Sequence, residues 1–307
     1  MKINANLKRL TARALSESMD VNTMVTVTRK LVPGYNIFKQ TGFPESIPIP
    51  NRDAAAQIVR DIADADLIPH FVNLLMQVHQ VGLMGRSYPI SHLHEIVQGI
   101  IEHGYVYDRE NKLFIEDGRT RKTVNWSVLR EGDEYIFAFM RLDIVGNSVL
   151  VRNYPEDIIQ KTYGDLKQIV ESSIDSRNGR IWNWEGDGGL VAFFFSNKSM
   201  LATLSAMEII HELFIFNQVH CLLDNPLAVR IAIHCGSCQF SFDPDEIAKQ
   251  DVIKEIVRIE SKHTGPNSIT VSNVVFPALN ELLLMQFSPL KTGDGQTLYN
   301  YELTWEK

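Results

Sequence analysis

Two stretches decide the fold of this 307-residue chain: Leu142-Asp143-Ile144-Val145-Gly146-Asn147-Ser148 and Gly186-Asp187-Gly188-Gly189. Each belongs to an apolar, strand-like run and places one aspartate at or near a glycine turn. A helix-like segment separates the two runs, so the pattern predicts neighbouring strands that carry one carboxylate each. Mg²⁺ is usually held by one or two carboxylates together with phosphate oxygens and water. The pair therefore predicts a site for a divalent cation and a triphosphate.

The region around these stretches, residues 131–307, alternates between strand and helix periodicity. The order strand, helix, strand, strand, helix, strand predicts an α+β fold with a ferredoxin-like βαββαβ sheet. Additional elements follow it. The predicted segments are strand 135–143, helix 155–173, strands 180–185 and 190–195, helix 198–216, strand 228–234, helix 251–261, strand 268–271, helix 273–282, and strands 284–287 and 297–303.

The first 130 residues have a different pattern. They predict a mostly helical region, beginning with one helix over residues 5–31, and a small hairpin over residues 105–115. Helices followed by a hairpin are typical of a winged-helix-like or partner-docking module. We therefore expect two domains: residues 1–130 as a regulatory or docking region, and residues 131–307 as the catalytic domain.

Composition and charge exclude several classes of protein. The formal charge is −7 and the isoelectric point is near 5.7, which argues against a chain that wraps nucleic acid. No run of 18 apolar residues predicts a membrane span, and residues 1–20 lack the apolar core of a signal peptide. The three cysteines include Cys235-x-x-Cys238, which we interpret as reduced thiols because no second pair completes a zinc site. We expect a cytoplasmic protein without membrane or nucleic-acid partners.

Several separate segments, in this order along the chain, resemble the signature segments of the class III nucleotidyl cyclases. They are Leu142–Ser148, Gly186–Gly188, Val229–Gly236, Arg258–Glu260 and Ile269–Ser272, within residues 133–303. The resemblance implies a cyclase domain that works as a homodimer, with active sites across the interface. It also implies two divalent ions, Mg²⁺ or Mn²⁺, held by Asp143, Asp187 and the backbone carbonyl of Ile144. In that family the ribose 3′-hydroxyl attacks the α-phosphorus and pyrophosphate leaves.

The same resemblance assigns residues to the triphosphate. Arg258 matches the arginine that the partner subunit supplies to stabilise charge on the α-phosphate, a task that suits a planar guanidinium. Lys254 stands where the family has an asparagine that orients the ribose, and it could contact the triphosphate instead. Lys291 resembles the lysine that meets the terminal phosphates. From the residues themselves, the backbone N–H groups of Gly146, Asn147 and Ser148 could bind phosphate before a helix.

Neither purine pattern of the family is present at the positions that read the base. Asn183 stands at the first position, beside Trp184, and counting back from Arg258 places the second near Ile247. An amide can donate and accept hydrogen bonds, so Asn183 could read a pyrimidine edge, and Trp184 could stack on the base. The chain is most similar to the bacterial Pycsar pyrimidine cyclases, which serve antiphage defence. The resemblance implies that UTP, or alternatively CTP, becomes a cyclic nucleotide that activates an effector.

Three other interpretations stay open at this stage. One is an adenylate cyclase that makes cyclic AMP. Another is a catalytically idle cyclase fold that senses nucleotide, although both aspartates and Arg258 are intact. The third is a DNA-binding regulator, which the acidic balance of the chain disfavours.

Overall fold

The computed structural model describes residues 3–293 and 295–303. The chain divides into two compact units. The first comprises residues 1–122 and 126–128, and the second comprises residues 123–125 and 129–307. A regulatory or docking role for the first unit stays a prediction.

The first unit consists of six helices and a two-stranded hairpin. Its elements are α1 (Ala5–Ser18), α2 (Val21–Arg29), α3 (Ile37–Thr41), α4 (Asn51–Asp64), α5 (Ile68–Val81), α6 (Leu93–Glu102), β1 (Tyr105–Asp108) and β2 (Leu113–Glu116). The antiparallel pairing of β1 with β2 confirms the predicted hairpin. The prediction of one helix over residues 5–31 is wrong, because Asp20 begins a new helix: its side chain accepts the N–H of Thr23 at 2.8 Å. Such a cap satisfies a donor that the helix itself leaves unpaired.

The second unit contains the remaining elements. In chain order they are β3 (Glu134–Ile144), α7 (Asn147–Asn153), α8 (Glu156–Asp175), β4 (Arg180–Glu185), β5 (Gly188–Phe193), α9 (Lys198–Val219), β6 (Val229–Gln239), α10 (Pro244–Ala248), α11 (Asp251–His263), β7 (Ser268–Val271), a 3₁₀ helix (Phe276–Ala278), α12 (Glu281–Leu284), β8 (Ser288–Lys291) and β9 (Thr297–Glu302).

These strands form one sheet in the order β4-β5-β3-β6-β7-β9-β8. Among the first four strands in this order, from β4 to β6, adjacent strands run antiparallel to one another. Their order is that of a ferredoxin-like βαββαβ unit. The remaining strands extend the sheet: β7 runs parallel to β6, and β9 and β8 follow it. The predicted α+β class, with its ferredoxin-like core, is confirmed.

Alternation along β3 gives the sheet two different faces. Ala138, Met140, Leu142 and Ile144 are buried in one hydrophobic core together with side chains of α8 and α9. The intervening side chains, which include Arg141 and Asp143, point to the opposite face, where α11 packs against β6 and β3. The charged residues of the sheet therefore lie on the α11 face.

Helix α9 carries much of this core. By length and composition alone it is the one helix in the described part of the chain that could cross a membrane, with a mean hydropathy of 1.4 over its most apolar window. Half of that window is buried inside the protein, through residues such as Ala202, Ala206 and Ile209. Core helices of globular proteins pass the same test, so the helix is weak evidence for a membrane span.

The prediction of a continuous helix over residues 273–282 is wrong. The chain instead forms the 3₁₀ helix at Phe276–Ala278 and then the short helix α12, whose first turn is capped by the Asn280 side chain at 3.0 Å from the N–H of Leu283. Pro277 lacks a backbone donor and cannot continue a regular helix. The strand predicted at 284–287 accordingly lies a few residues later, at Ser288–Lys291.

Candidate active site

The two sequence-predicted aspartates lie at the same edge of the sheet. Asp143, at the end of β3, is paired in register with Gly188 of β5, the residue that follows Asp187. The backbone N–H of Ile144 donates to the carbonyl of Asp187 at 3.1 Å. Asp187 and Gly186 form the two-residue turn between β4 and β5, and Gly186 adopts φ +49°. The fold therefore brings Asp143, Ile144 and Asp187 together through backbone pairing.

Close approach of β5 to β3 depends on a missing side chain. A Cβ atom on Gly188 would lie 2.2 Å from the carbonyl oxygen of Leu142 and 3.0 Å from the Cα of Asp143. No larger residue fits at that distance without moving the strands apart. Gly188 thus sets the spacing between the two acidic positions.

A chain of ion pairs begins at Asp143. Its Oδ2 lies 2.5 Å from Nη2 of Arg230, the residue directly across from it on β6. Nε of Arg230 lies 2.9 Å from Oε1 of Glu260 on α11, although the two groups are not aligned as a hydrogen bond. The second oxygen of Glu260 lies 3.4 Å from Nε of Arg141. Two arginines and two carboxylates thus alternate across the α11 face.

Glu260 is the most buried member of this network. Its side chain is 4% exposed, against 26% for Arg230 and 32% for Arg141. Burial raises the pKa of Glu260 above its ordinary value, and the charge of Arg230 partly opposes that shift. The positive charges of the two guanidinium groups compensate the buried Glu260 carboxylate, which would otherwise be unfavourable there.

Asp187 has a different partner. Nδ2 of Asn147, the first residue of α7, donates to Oδ2 of Asp187 at 2.6 Å. Oδ1 of Asn147 in turn accepts the hydroxyl of Tyr163 on α8 at 2.6 Å. Gly146, with φ +70°, and Ser148 are exposed beside it. The Asn147 side chain therefore contacts a carboxylate, and phosphate binding by the backbone of Gly146–Ser148 stays a prediction.

A cavity of about 230 Å³ opens on the α11 face of the sheet. The residues lining it include Arg141, Trp182, Asn183, Glu185, Leu190 and Ile247. Both positions predicted to read the base, Asn183 and Ile247, are therefore among them. The Asn183 amide donates to Glu185 at 2.7 Å, so the wall presents amide, carboxylate and guanidinium groups above an apolar floor.

The prediction that Trp184 contacts the base is not supported by its position, because the side chain packs against the core on the α8 and α9 side. The cause is a β-bulge in β4. Ile181 pairs with Val191 but Asn183 pairs with Leu190, so Trp182 is an additional residue in the strand. A bulge shifts the alternation by one residue. Trp182 and Asn183 consequently both line the cavity, where the Trp182 ring lies 4.8 Å from that of Phe137 and its Nε1 donates to the carbonyl of Val124.

The predicted cationic residues lie on α11 and at the end of β8. Arg258 on α11 holds Glu255 through two contacts of 2.8 Å and also contacts Gln296, which lies in the loop between β8 and β9. Lys291 is exposed at the end of β8, four strands from β3, which corresponds to roughly 19 Å. Lys254 is exposed and pairs with Asp251 at 3.2 Å. Within one chain, Lys291 cannot share a ligand closely with Asp143 and Asp187.

The oxygen atoms at the aspartate edge fit a hard divalent cation. Asp143 and Asp187 offer carboxylates and Ile144 a carbonyl, the donors that Mg²⁺ and Mn²⁺ take. Among the described residues no group of three or more His, Cys, Asp or Glu side chains converges on one point. Mg²⁺ tolerates such a small protein set because it keeps several waters and takes substrate phosphates. The residues present therefore fit the predicted ions.

The two cysteines of the Cys235-x-x-Cys238 motif do not converge on a ligand. They lie three residues apart on β6, so their side chains point to opposite faces of the sheet. Burial raises the pKa of both thiols, that of Cys238 to about 12. Both are free of disulfides, and thiols with raised pKa values are poor nucleophiles.

Sequence reasoning missed Arg230, Tyr163 and Arg141. Arg230 and Glu260 lay inside the segments that carried the family resemblance, but they received no role. The alternation of β3 and β6 could have indicated that Arg230 faces Asp143. Tyr163 offers no such signal, since it lies at a core-facing position of its helix.

Comparisons with known proteins gave matches among solved structures. No protein-family model and no curated protein matches the chain. Solved structures that resemble it are catalytic domains of nucleotidyl cyclases. The guanylyl cyclase domain of the RhoGC fusion protein from the fungus Blastocladiella emersonii has a TM-score of 0.47 and 15% identity, covering 56% of this chain and 98% of that one. The adenylyl cyclase CyaB from P. aeruginosa has a TM-score of 0.46 and 13% identity, covering 57% and 96%.

Proposed function

We propose that the second unit is a nucleotidyl cyclase, which converts a nucleoside triphosphate into a 3′,5′-cyclic nucleotide and pyrophosphate. The observation that carries the proposal is the pairing of Asp143 with Gly188, which holds two carboxylates and the Ile144 carbonyl at one sheet edge. When bound there, divalent cations would acidify the ribose 3′-hydroxyl and neutralise charge on the triphosphate. The protein residues hold and orient these groups, so that the hydroxyl is placed in line with the α-phosphorus.

The proposed active site is shared between two copies of the chain. Lys291 lies too far from the aspartates to act with them in one protomer, and Gln296 links Arg258 to the hairpin that carries Lys291. A two-fold dimer would place the Arg258 group of one copy opposite the aspartates of the other. Arg258 would then stabilise charge that develops on the α-phosphate, and Lys291 would contact the terminal phosphates.

For the substrate we propose UTP. The cavity beside Asn183 is small, and Trp182 narrows it with a ring that is fixed by its hydrogen bond to Val124. Arg141, which also lines it, can only donate hydrogen bonds. Uracil presents a carbonyl oxygen where cytosine presents an amino group, so the Arg141 guanidinium, as a donor, would favour UTP over CTP. The sequence resemblance to Pycsar cyclases supports cyclic UMP as a second messenger in antiphage defence.

The direct test is to incubate the full chain with ATP, GTP, CTP or UTP in Mn²⁺ and to separate the products by chromatography. We expect cyclic UMP from UTP and at least tenfold less product from the others. Cyclic AMP as the main product would instead support the adenylate cyclase alternative. Absence of any cyclic product, together with nucleotide binding, would support the idle sensing module.

A matched pair of variants distinguishes a specific loss of catalysis from a general loss of folding. Asp187→Asn should lose product formation and remain folded, because it keeps the size of the side chain and removes its charge. Asp157→Asn removes an exposed carboxylate from the first turn of α8 and should behave like the unaltered protein. Equal turnover in both variants would refute the assignment of Asp187.

A further inference from the structure

We infer that Tyr163 and Asn147 are positioning residues for Asp187. This inference rests on the proposed function, because it concerns the same carboxylate. The three side chains are joined in series by two hydrogen bonds of 2.6 Å, from the Tyr163 hydroxyl to Asn147 Oδ1 and from Asn147 Nδ2 to Asp187 Oδ2. They come from α8, α7 and the β4–β5 turn.

The chemistry of the groups fixes the direction of this series. An ionised carboxylate only accepts hydrogen bonds, so the NH₂ group of Asn147 must face Asp187. The amide oxygen then faces α8 and needs a donor, which the Tyr163 hydroxyl supplies. Loss of that hydroxyl would leave Asn147 free to rotate and would release the carboxylate from one orientation.

The turn that carries Asp187 also packs against Tyr163. It consists of only two residues, one of which is Gly186 with a positive φ. The Tyr163 ring lies directly against Gly186, since a Cβ atom there would be 3.3 Å from Cε2 of Tyr163. The same side chain thus supports the turn by packing and the carboxylate through Asn147.

The consequence concerns the binding of a cation. Oδ2 of Asp187 is held by Asn147, so a cation would meet the carboxylate through its second oxygen, whose direction the series fixes. Groups that orient a ligating side chain typically change metal affinity by roughly 10- to 100-fold when they are mutated. Asn147 thereby acts on the carboxylate, in addition to any phosphate contact of its backbone.

The test measures Mn²⁺ binding to the nucleotide-free protein, by the electron paramagnetic resonance signal of free Mn²⁺. Tyr163→Phe should weaken Mn²⁺ binding roughly tenfold, and Asn147→Ala by at least as much. In Tyr163→Phe, kcat should return to the unaltered value at saturating Mn²⁺, because the defect lies in cation affinity. Tyr154→Phe is the control, since it removes a tyrosine hydroxyl that contacts Asp224 at 3.1 Å elsewhere in the same unit. Its Mn²⁺ affinity should not change.

The Asp187→Asn variant distinguishes a failure of the positioning role from a failure of the proposed function. If Asp187→Asn loses Mn²⁺ while Tyr163→Phe and Asn147→Ala bind it normally, the positioning role is wrong and the proposed function stands. If Asp187→Asn also binds Mn²⁺ normally, the metal assignment itself is wrong. Equal weakening in Tyr154→Phe would indicate a nonspecific effect and would overturn the positioning role.

A second observation, independent of the first, concerns a groove of about 850 Å³ between α1 and α4 of the first unit. Five basic residues line it and only one acidic residue, Glu17, does so. The basic residues are Lys8, Arg9, Arg13, Arg52 and Arg60. The four arginines are exposed, and those on each helix lie one or two turns apart, which places them in two rows.

The net negative charge of the whole chain does not indicate this basic groove, because the acidic residues are concentrated in the second unit. Residues 1–122 carry 15 Lys and Arg against 13 Asp and Glu, whereas residues 123–307 carry 15 against 24. The arginines span about 6 Å along α1 and about 12 Å along α4, which is more than one phosphate group covers. Arginine forks suit phosphate oxygens, and among the residues lining the groove there is no aromatic side chain on which a base could stack. In contrast to the expectation from the charge of the whole chain, we propose that this groove binds the phosphodiester backbone of a nucleic-acid duplex.

Fluorescence anisotropy of labelled duplex DNA and duplex RNA tests this proposal at 50 and 200 mM salt. We expect binding that weakens steeply with salt, and at least a tenfold loss in Arg52→Glu/Arg60→Glu. Arg109→Glu/Lys112→Glu, at the hairpin of the same unit, makes the same change in charge and should bind normally. No binding at 50 mM salt, an equal loss in the control, or stronger binding of poly-glutamate than of either duplex would overturn the proposal.

Discussion

Arg230 joins Asp143 to Glu260, with one nitrogen 2.5 Å from the first carboxylate and another 2.9 Å from the second. The pair with Glu260 is largely buried, so the arginine compensates a charge that water barely reaches. Asp143 is thereby tied to α11 as well as to its own strand. The Arg230 side chain therefore links the candidate active site to helix α11 of the same unit.

Replacing Arg230 by Met should destabilise the protein by about 3 kcal/mol, because breaking a buried pair leaves one charge uncompensated. The double variant Arg230→Met/Glu260→Met should recover most of that loss, since the most buried charge of the network is removed together with Arg230. Urea unfolding of Arg230→Met, Glu260→Met and the double variant measures the coupling free energy between the two side chains. Equal stability of Arg230→Met and the double variant would show that Glu260 depends on Arg141 instead.

Substituting Gly188 by Ala should abolish turnover and lower stability, because the new methyl group would overlap the carbonyl oxygen of Leu142. Gly164→Ala in α8 is the matched control. Nothing lies within 4 Å of a Cβ atom there, and alanine favours a helix interior by about 0.5–1 kcal/mol. Thermal melting and product formation should therefore fall in the first variant only. Full activity of Gly188→Ala would contradict the close approach of the strands.

Mixing two inactive variants should restore activity if each site uses two copies of the chain. Asp187→Asn lacks the acidic group and Arg258→Ala lacks the cationic group, but a mixed dimer has one intact site. After subunit exchange, an equal mixture should show about a quarter of the unaltered turnover, because half of the dimers are mixed and each has one working site. Continued inactivity, in a sample in which native mass spectrometry detects mixed dimers, would place both groups in one protomer.

Protonation of His234 should destabilise the folded protein in mildly acidic solution. Burial lowers the pKa of His234 below its ordinary 6.5, while Nδ1 lies 2.9 Å from the hydroxyl of Ser272. The folded state therefore favours the neutral ring, and its contribution is present above pH 6.5 and lost as the pH falls through the lowered value. Urea unfolding between pH 7.5 and 5.5 should show a steeper loss in the unaltered protein than in His234→Gln. Parallel curves would assign the loss to other groups.

Most of the central sheet could be predicted from the sequence because β3, β5 and β7 are largely buried and the turn between β4 and β5 contains glycine. Residues 268–271 were placed correctly, since Ile269 and Val271 have a plain alternating pattern. The break near Met19 was missed because apolar residues continue in helical register across it. The 3₁₀ helix near Pro277 was missed for a similar reason, although proline could have indicated it.

The candidate site was partly predictable. Asp143 and Asp187 were found because acidic residues are unusual in apolar strands, and their pairing follows from the hairpin. The series through Asn147 and Tyr163 depends on how α7 and α8 cross the sheet edge, which no local pattern records. The cavity contains Trp182 in place of Trp184 because β4 has one extra residue, and strand periodicity alone does not locate such a bulge.

That extra residue has a consequence for how selectivity could change. Deleting Trp182 would restore strict alternation in β4, leave Ile181 and Asn183 on the faces they occupy now, and remove the indole ring from the cavity. A single codon loss would then rebuild the wall of the cavity without any conventional substitution in it. Insertions and deletions in this strand are thus a route by which related chains could change the shape of this cavity.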